Sequence, residues 1–251
     1  MANRPKTSKN KNVLYASGLA LLLLAGGYTA YDYYAGNHVE IEQVIPSAGQ
    51  ASPGQNASPA SPSQGNSGQA AAADAVPADK LNGTWSTVDG SSKVYVSVTT
   101  SKETVNIAGD KVKGQWTVNV ADPAQTKGQG EVEIASLNSG NNQRDNHIKS
   151  DDLLQAASHP KAAFAVTSFE GLPAAWKEGQ VVPLKIKGSL TVKGITKDVV
   201  FDANALYEKA QLKLSGSTVV TFGDFGMKNP HTVVLAAENN LTVRMELVFG
   251  K

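Results

Sequence analysis

A short polar segment near the middle of the chain carries the side chains best suited to binding a charged ligand. Arg144, Asp145 and His147 follow a turn-forming stretch rich in Asn, Ser and Gly at residues 138–142. The planar guanidinium of Arg144 could bind a phosphate group through two parallel hydrogen bonds. Alternatively, Arg144 and Asp145 brace this turn and cap a helix, which is the interpretation that we favour. His147 could bind a metal ion or a ligand head group, although such a histidine more often makes a structural hydrogen bond.

The other reactive side chains form no catalytic or metal-binding pattern. The four histidines, His38, His147, His159 and His231, are too scattered for metal-ligand spacing. The chain has no cysteine, which excludes disulfides, thiolate ligands and cysteine nucleophiles. Neither a Gly-x-Ser-x-Gly elbow nor a phosphate-binding P-loop occurs. We therefore predict a protein that is not an enzyme, with no catalytic residue and no metal.

The overall charge gives no reason to expect a polyanionic partner. The 251 residues carry a formal net charge of +1, so no long-range field draws the protein to nucleic acid. The C-terminal region also lacks a basic stripe with interleaved aromatic residues. We therefore expect no nucleic acid among the partners.

The N-terminal residues have the pattern of a membrane anchor. Residues 1–12 contain four basic side chains and no acidic one, and an apolar run follows from Val13 to about Tyr31. A run of this length approaches the ~20 residues that cross a bilayer as a helix, and tyrosines crowd its far end like an aromatic belt. We predict a cytoplasmic tail at 1–12 and an uncleaved transmembrane signal anchor at 13–35. The alternative is a cleaved signal peptide that releases the rest into the periplasm.

Residues 36–79 are predicted to form a linker. Most of them are Ser, Ala, Pro, Gly, Gln and Asn, which offer too little large apolar surface to offset the entropy of ordering the chain. We expect a disordered segment that holds the following domain away from the bilayer. The expected location is the bacterial inner membrane, crossed once, with the C-terminal domain in the periplasm.

The pattern changes at residue 80, where apolar and polar residues begin to alternate with the period of a β-strand. Turn residues such as Lys193-Gly194 separate about eight to ten short runs of this kind. This spacing is typical of a β-sandwich or an up-and-down barrel. Only Asp151 to Ala157 has a helical pattern, with Ser150 as its N-cap. Residues 80–251 are therefore predicted to be one all-β domain with one short helix.

A closed sheet of this kind turns one face of each strand inward. In an eight-stranded barrel, side chains either fill the interior or leave room for one ligand, and the periodicity does not decide between these. If the barrel is hollow, inward-facing apolar residues line the cavity. The candidates are Val96, Val98, Trp116, Val118, Val132, Ile134, Phe164, Val166, Ile186, Leu190, Phe201, Leu214, Val243 and Met245.

Three motifs follow one another in this domain: Arg144-Asp145-Asn146-His147 after the Ser/Asn/Gly turn, the hairpin of residues 188–197, and Phe222-Gly223-Asp224-Phe225-Gly226. Together they resemble the YceI-like family of bacterial periplasmic proteins over about residues 81–251. The resemblance implies a lipocalin-like antiparallel β-barrel with an elongated apolar cavity. It also implies an isoprenoid lipid as the partner, such as a polyprenyl phosphate or an isoprenoid quinone. Arg144 and His147 are then the head-group candidates.

Two other functions stay open from the sequence. One is a ligand-free scaffold protein with a solid barrel that binds an envelope partner, and the other is an enzyme acting on an envelope lipid. We expect no cofactor apart from a bound isoprenoid lipid or quinone. The sequence does not decide whether two barrels pair as a homodimer.

Overall fold

The computed structural model describes residues 39–46, 75–101, 103–230 and 237–251. Within them, one antiparallel sheet contains ten strand segments. The segments β1 to β10 are Gly83–Thr87, Lys93–Thr100, Thr104–Gly109, Val112–Val118, Lys127–Glu133, Lys161–Glu170, Val181–Val192, Ile195–Glu208, Gln211–Thr221 and Ala237–Gly250. The helices are α1 (Ala78–Leu81) and α2 (Asn142–Lys149), and 3-10 turns occur at Pro123–Gln125, Ile134–Ser136 and Gly223–Phe225.

The ten segments form a closed barrel with eight strand positions. β1 and β2 lie one after the other along the same edge of β10, and β4 and β3 pair with them in turn. β1 and β2 together therefore follow the path of one long, interrupted strand, and β3 and β4 follow the path of the next one. From β4 to β10, each strand pairs with the next one in sequence, and β10 returns to β1 and β2. The predicted all-β antiparallel barrel of about eight strands is confirmed.

The strands run between two ends that differ in their packing. At the α1 end lie α1, the β6–β7 loop and the β8–β9 turn, whereas the α2 end carries α2, the β2–β3 turn and the β7–β8 turn. Trp85, Trp116 and Trp176 pack at the α1 end, each no more than 2% exposed. The Trp85 indole N–H donates a hydrogen bond of 2.8 Å to the carbonyl oxygen of Leu81, which ties α1 to this cluster. The solid part of the core therefore lies at the α1 end.

The helix predicted at residues 151–157 is wrong. The helix of this region is α2, which begins eight residues after Ile134 and ends at Lys149. The Asn141 side chain caps it by accepting a 3.1 Å hydrogen bond from the Arg144 backbone N–H. Ser150, the predicted N-cap, lies at the C-cap of α2 instead. Gln155, inside the predicted helix, has a φ of 53°, which lies outside the right-handed helical region. The structure thus has two short helices in the described residues rather than one.

The predicted tail at 1–12 and transmembrane anchor at 13–35 lie outside the described residues. Among the residues that are described, no helix combines the length and the apolar character needed to cross a bilayer. The predicted linker at 36–79 contains one described stretch, residues 39–46, that lies against the outside of the barrel. Its last residues, from Ala75, run into α1.

Candidate functional site

An apolar cavity of about 680 Å³ lies inside the barrel. Its wall consists mainly of inward-facing valine, isoleucine, leucine and phenylalanine side chains from the strands. All of the predicted lining residues except Val118 lie in this wall. They are Val96, Val98, Trp116, Val132, Ile134, Phe164, Val166, Ile186, Leu190, Phe201, Leu214, Val243 and Met245.

Val118 does not line the cavity. It faces inward as the alternation indicates, but it lies at the α1 end of β4, where it pairs with Gly83. There it belongs to the solid core with Trp85 and Trp116, and it is buried. Alternation along a strand shows which face a residue occupies, but it does not show how deep along the barrel axis the residue lies.

The sequence reasoning missed several residues of the wall. Val105 and Ile107 of β3 line the cavity and pack on Ile134, and their alternation carried the same signal as the residues that were chosen. Phe222 and Phe225 also line it, from the motif that follows β9. Both phenylalanines belong to one apolar cluster at the α2 end, so the motif shapes this part of the wall.

The cavity opens at the α2 end. Glu103 and His147 both belong to its wall and are both exposed to solvent. At the opposite end, the stacked rings of Trp116 and Phe169, with centroids 5.7 Å apart, form the last part of the wall before the solid core. The cavity is therefore an apolar tunnel whose wall includes polar side chains at the α2 end.

Arg144 and Asp145 both bind the residue that forms the turn before α2. The Arg144 guanidinium donates hydrogen bonds of 2.8 Å to the Ser139 hydroxyl and of 2.9 Å to the Ser139 carbonyl oxygen. The Asp145 carboxylate accepts hydrogen bonds from the backbone N–H and the hydroxyl of Ser139, which is fully buried. This arrangement braces α2 at the mouth, while Arg144 also contributes to the cavity wall.

The histidines do not converge on one point. His147 lies at the mouth of the cavity and His159 lies beside Gly194 in the β7–β8 turn, whereas His38 and His231 lie outside the described residues. Among the described residues, no group of three or more His, Asp and Glu side chains could hold a metal ion.

Residues 85–249 match the family described as the YceI-like domain. The chain belongs to the YceI-like family. The resemblance that the three sequence motifs indicated is confirmed, and the match includes nearly all of the barrel.

Curated relatives of this YceI-like chain share about a third of the aligned residues. The UPF0312 protein of Shewanella oneidensis is 31% identical over 121 residues, which are 46% of this chain and 60% of that relative. Protein YceI of Escherichia coli O6:H1 is 32% identical over 93 residues, which are 37% of this chain and 44% of that relative. The aligned part therefore spans less than two thirds of either relative's length.

Solved structures share the barrel of this YceI-like protein. Burkholderia cenocepacia BcnA superposes with a TM-score of 0.55 at 20% identity, covering 64% of this chain and 98% of BcnA. A polyisoprenoid-binding domain from Saccharophagus degradans superposes with a TM-score of 0.53 at 13% identity, covering 66% of this chain and 97% of that domain. At these identities the likeness shows the fold alone.

Proposed function

We propose that this YceI-like barrel is a binding protein that holds a long isoprenoid lipid, such as a polyprenyl phosphate or an isoprenoid quinone, in its cavity. The observation that carries the proposal is the apolar tunnel of about 680 Å³ with its mouth at the α2 end. Pockets for drug-sized ligands typically have ~300–1,000 Å³, and an apolar cavity of about 150 Å³ already holds benzene. The neighbour from Saccharophagus degradans is described as polyisoprenoid-binding, which favours this class of ligand.

The free energy of binding would come from removing the lipid tail from water. Burial of apolar surface contributes roughly 25 cal/mol per Å², and the cost of ordering the tail opposes it. No catalytic group is required for this. Selectivity would follow from the length and width of the tunnel, because its deep wall offers almost only apolar contacts.

We further propose that Arg144 and His147 contact the polar head of the lipid. Both belong to the cavity wall at the mouth, where a head group would stay in water while the tail is buried. A guanidinium binds phosphate oxygens well, and the bracing of Arg144 by Ser139 limits the entropy that it would lose on binding.

The membrane is the expected source of such a lipid. We propose that residues 13–35 anchor the protein in the bacterial inner membrane, with the barrel on the periplasmic side. Holding the lipid there would serve its transport, its storage or a response to stress.

The proposal is tested by native mass spectrometry of the full chain purified from a bacterial host. The wild-type protein should carry a lipid, and Ile186→Asp should lose it, because Ile186 is a buried residue of the wall and a charge there opposes an apolar ligand. Val200→Asp is the matched control, since Val200 is 43% exposed and lies on the outer face of the adjacent strand.

A second variant addresses the risk that Ile186→Asp unfolds the barrel. Leu190→Trp adds apolar bulk near the mouth instead of charge, and it should reduce the amount of co-purifying lipid while far-UV circular dichroism stays that of a β-protein. A wild-type barrel that carries no lipid would contradict the proposal and favour a scaffold function. A folded Leu190→Trp variant that retains as much lipid as the wild type would show that the ligand lies elsewhere.

A further inference from the structure

Residues 39–46, which we call the clasp, cross the outer face of the barrel over β3, β2 and β10. At the beginning of the clasp, the Asn106 side-chain amide of β3 donates a 3.0 Å hydrogen bond to the Val39 carbonyl oxygen. In the middle, the Glu42 backbone N–H donates a 3.1 Å hydrogen bond to the Tyr95 hydroxyl of β2. These two hydrogen bonds attach the clasp to both β3 and β2.

The second half of the clasp is held by two charged groups. The Glu42 carboxylate forms a 2.6 Å ion pair with Lys93 at the start of β2, and this hydrogen bond raises the pKa of Lys93. The Val44 backbone N–H donates a 2.9 Å hydrogen bond to the Glu246 carboxylate of β10. Ile45 follows and is only 4% exposed.

The clasp buries outer-face residues that a barrel would otherwise expose to water. Tyr95 and Glu246 alternate with cavity-lining residues and therefore point outward, yet each is only 1% exposed. An outward-facing carboxylate is buried only where partners satisfy it. Glu246 has such partners in Val44 and in the Ser215 hydroxyl, which donates a 2.8 Å hydrogen bond to it.

The direction of the clasp follows from the sheet register. Val39 binds Asn106, which pairs with Ser97, whereas Val44 binds Glu246, which pairs with Lys93. Ser97 and Lys93 are four residues apart along β2. The two attachment points of the clasp are therefore about 13 Å apart along this strand, at ~3.3 Å per residue. Read from Val44 back to Val39, the chain approaches the α2 end. Val39, the first described residue of the clasp, is therefore the end of the clasp that lies nearer to the cavity mouth.

Few residues separate the clasp from the predicted membrane anchor. The anchor is predicted to end at residue 35, and the four Cα-to-Cα steps from residue 35 to Val39 span at most about 14 Å when extended. The level of Ser97, where Val39 is bound, lies three residues, or about 10 Å, below the last residue of β2 at the α2 end. If the anchor ends at the surface of the bilayer, this short connection keeps Val39 close enough for the rim of the mouth to reach that surface.

We propose that the clasp fixes the barrel with its cavity mouth against the bilayer that holds the anchor. This inference rests on the membrane attachment in the proposed function. In this orientation an isoprenoid tail could pass from the bilayer into the tunnel without exposing its apolar surface to water, which is the main cost of moving it.

The orientation also changes the expected role of the linker. Residues 47–74 connect Pro46 of the clasp to Ala75, which bridges to Lys177 at the α1 end of the same barrel. Both ends of the linker therefore attach to one body. Its length does not set the distance between barrel and membrane, whereas residues 36–38 do.

The absence of cysteine allows a test with single fluorescent labels. Lys193→Cys and Lys209→Cys are a matched pair, since both lysines lie in turns with φ of 52° and 51° at opposite ends of β8. The full chain, labelled at one site, is placed in phosphatidylcholine vesicles that contain a lipid with a nitroxide quencher on its head group. The dye at position 193, at the α2 end, should be quenched several-fold more strongly than the dye at position 209.

Two further changes show whether the clasp causes the orientation. Replacing residues 39–46 by a Gly-Ser sequence of equal length should remove the difference between the two dyes. The same replacement at residues 47–54 should leave the difference unchanged, because these residues follow the clasp. Equal quenching of both dyes in the otherwise unchanged chain, or stronger quenching at position 209, would overturn the proposal.

Flotation of the same vesicles separates this inference from the proposed function. Protein that floats with the vesicles but shows equal quenching refutes the orientation and leaves the attachment intact. Protein that does not float refutes both the attachment and the orientation. In either case, lipid found in the barrel by native mass spectrometry still supports lipid binding.

Discussion

Glu246 is an outward-facing residue of β10 whose carboxyl group is buried beneath the clasp. Burial raises its pKa, while the hydrogen bonds from Val44 and Ser215 and the nearby guanidinium of Arg244 act in the opposite direction. Because the pKa of Glu246 in the folded state lies above the ordinary value near 4.5, the folded protein binds the proton of this carboxyl group more tightly than the unfolded chain does. Ionisation of Glu246 therefore lowers the free energy of unfolding as the pH rises between those two pKa values.

Glu246→Gln removes this ionisation and keeps an oxygen that can accept the hydrogen bond from Val44. We expect the free energy of unfolding of the variant, relative to the wild type, to rise over the pH range that begins near 4.5 and ends above the raised pKa of Glu246. Urea denaturation across this range measures the difference. Glu238→Gln is the control, since it removes a glutamate from an exposed position of the same strand, and its difference from the wild type should stay nearly constant. A constant difference for Glu246→Gln would show that the clasp does not desolvate the carboxyl group.

Single residues of the cavity were largely predictable, whereas those of the outer face were not. Alternation placed residues such as Ile186 and Met245 on the inner face, and closure of the sheet brought them into one wall. It placed Val118 on the correct face but at the wrong depth. It gave no reason to expect a buried Glu246, because the segment that covers it lies 202 residues away in the sequence.

At the scale of elements, β6 and β7 approach each other closely through a glycine. A Cβ atom at Gly188 would lie 2.6 Å from Cζ of Phe164 and would also meet the carbonyl oxygen of Ala165. The Phe164 ring occupies the space beside this glycine and faces Phe201 edge-on, with centroids 5.1 Å apart. Gly188 therefore sets the position of an aromatic ring in the cavity wall.

Gly188→Ala should destabilise the barrel by about 1–3 kcal/mol, because both the ring and the strand backbone must shift to admit the methyl group. Urea denaturation monitored by circular dichroism measures the loss. Gly130→Ala is the matched control on β5, where the nearest atom would be the Lys113 carbonyl oxygen at 3.5 Å. The control should change stability by less than about 1 kcal/mol. An equal effect of both substitutions would mean that the contact with Phe164 is not the cause.

The strands were predictable from sequence, but the helix of this domain was not. Period-two alternation is a strong signal in β8 and β10, each of which extends over 14 residues. Residues 151–157 had a helical composition, yet the local cap at Asn141 starts the helix nine residues earlier. Arg144 and Asp145 on this helix also bind Ser139, which precedes it in the turn, and the sequence pattern of residues 151–157 carried no sign of these contacts.

At the scale of the whole molecule, the clasp joins a segment near the N-terminus to a strand at the C-terminus. The composition of residues 36–79 suggested a linker throughout, and this average concealed a local signal. Val39 and Ile41 alternate with Glu40 and Glu42 immediately before the Pro- and Ser-rich stretch. Such alternation favours an extended segment with one apolar side, but the sequence does not indicate which part of the outer face it covers.

A comparison of two shortened chains measures what the clasp contributes. A chain that begins at Gly36 retains the clasp, and a chain that begins at Ser47 lacks it. The first should be the more stable of the two, because only the chain with the clasp buries Ile45 and forms these hydrogen bonds to Tyr95, Asn106 and Glu246.

The same pair of chains ties the clasp to the ionisation of Glu246. In the chain that begins at Ser47, the carboxyl group faces water, so Glu246→Gln should no longer change the pH dependence of unfolding. In the chain that begins at Gly36, the substitution should change it as in the full protein. If both chains respond equally to Glu246→Gln, the clasp does not bury this carboxyl group in solution, and the orientation that we derive from the clasp loses its structural basis.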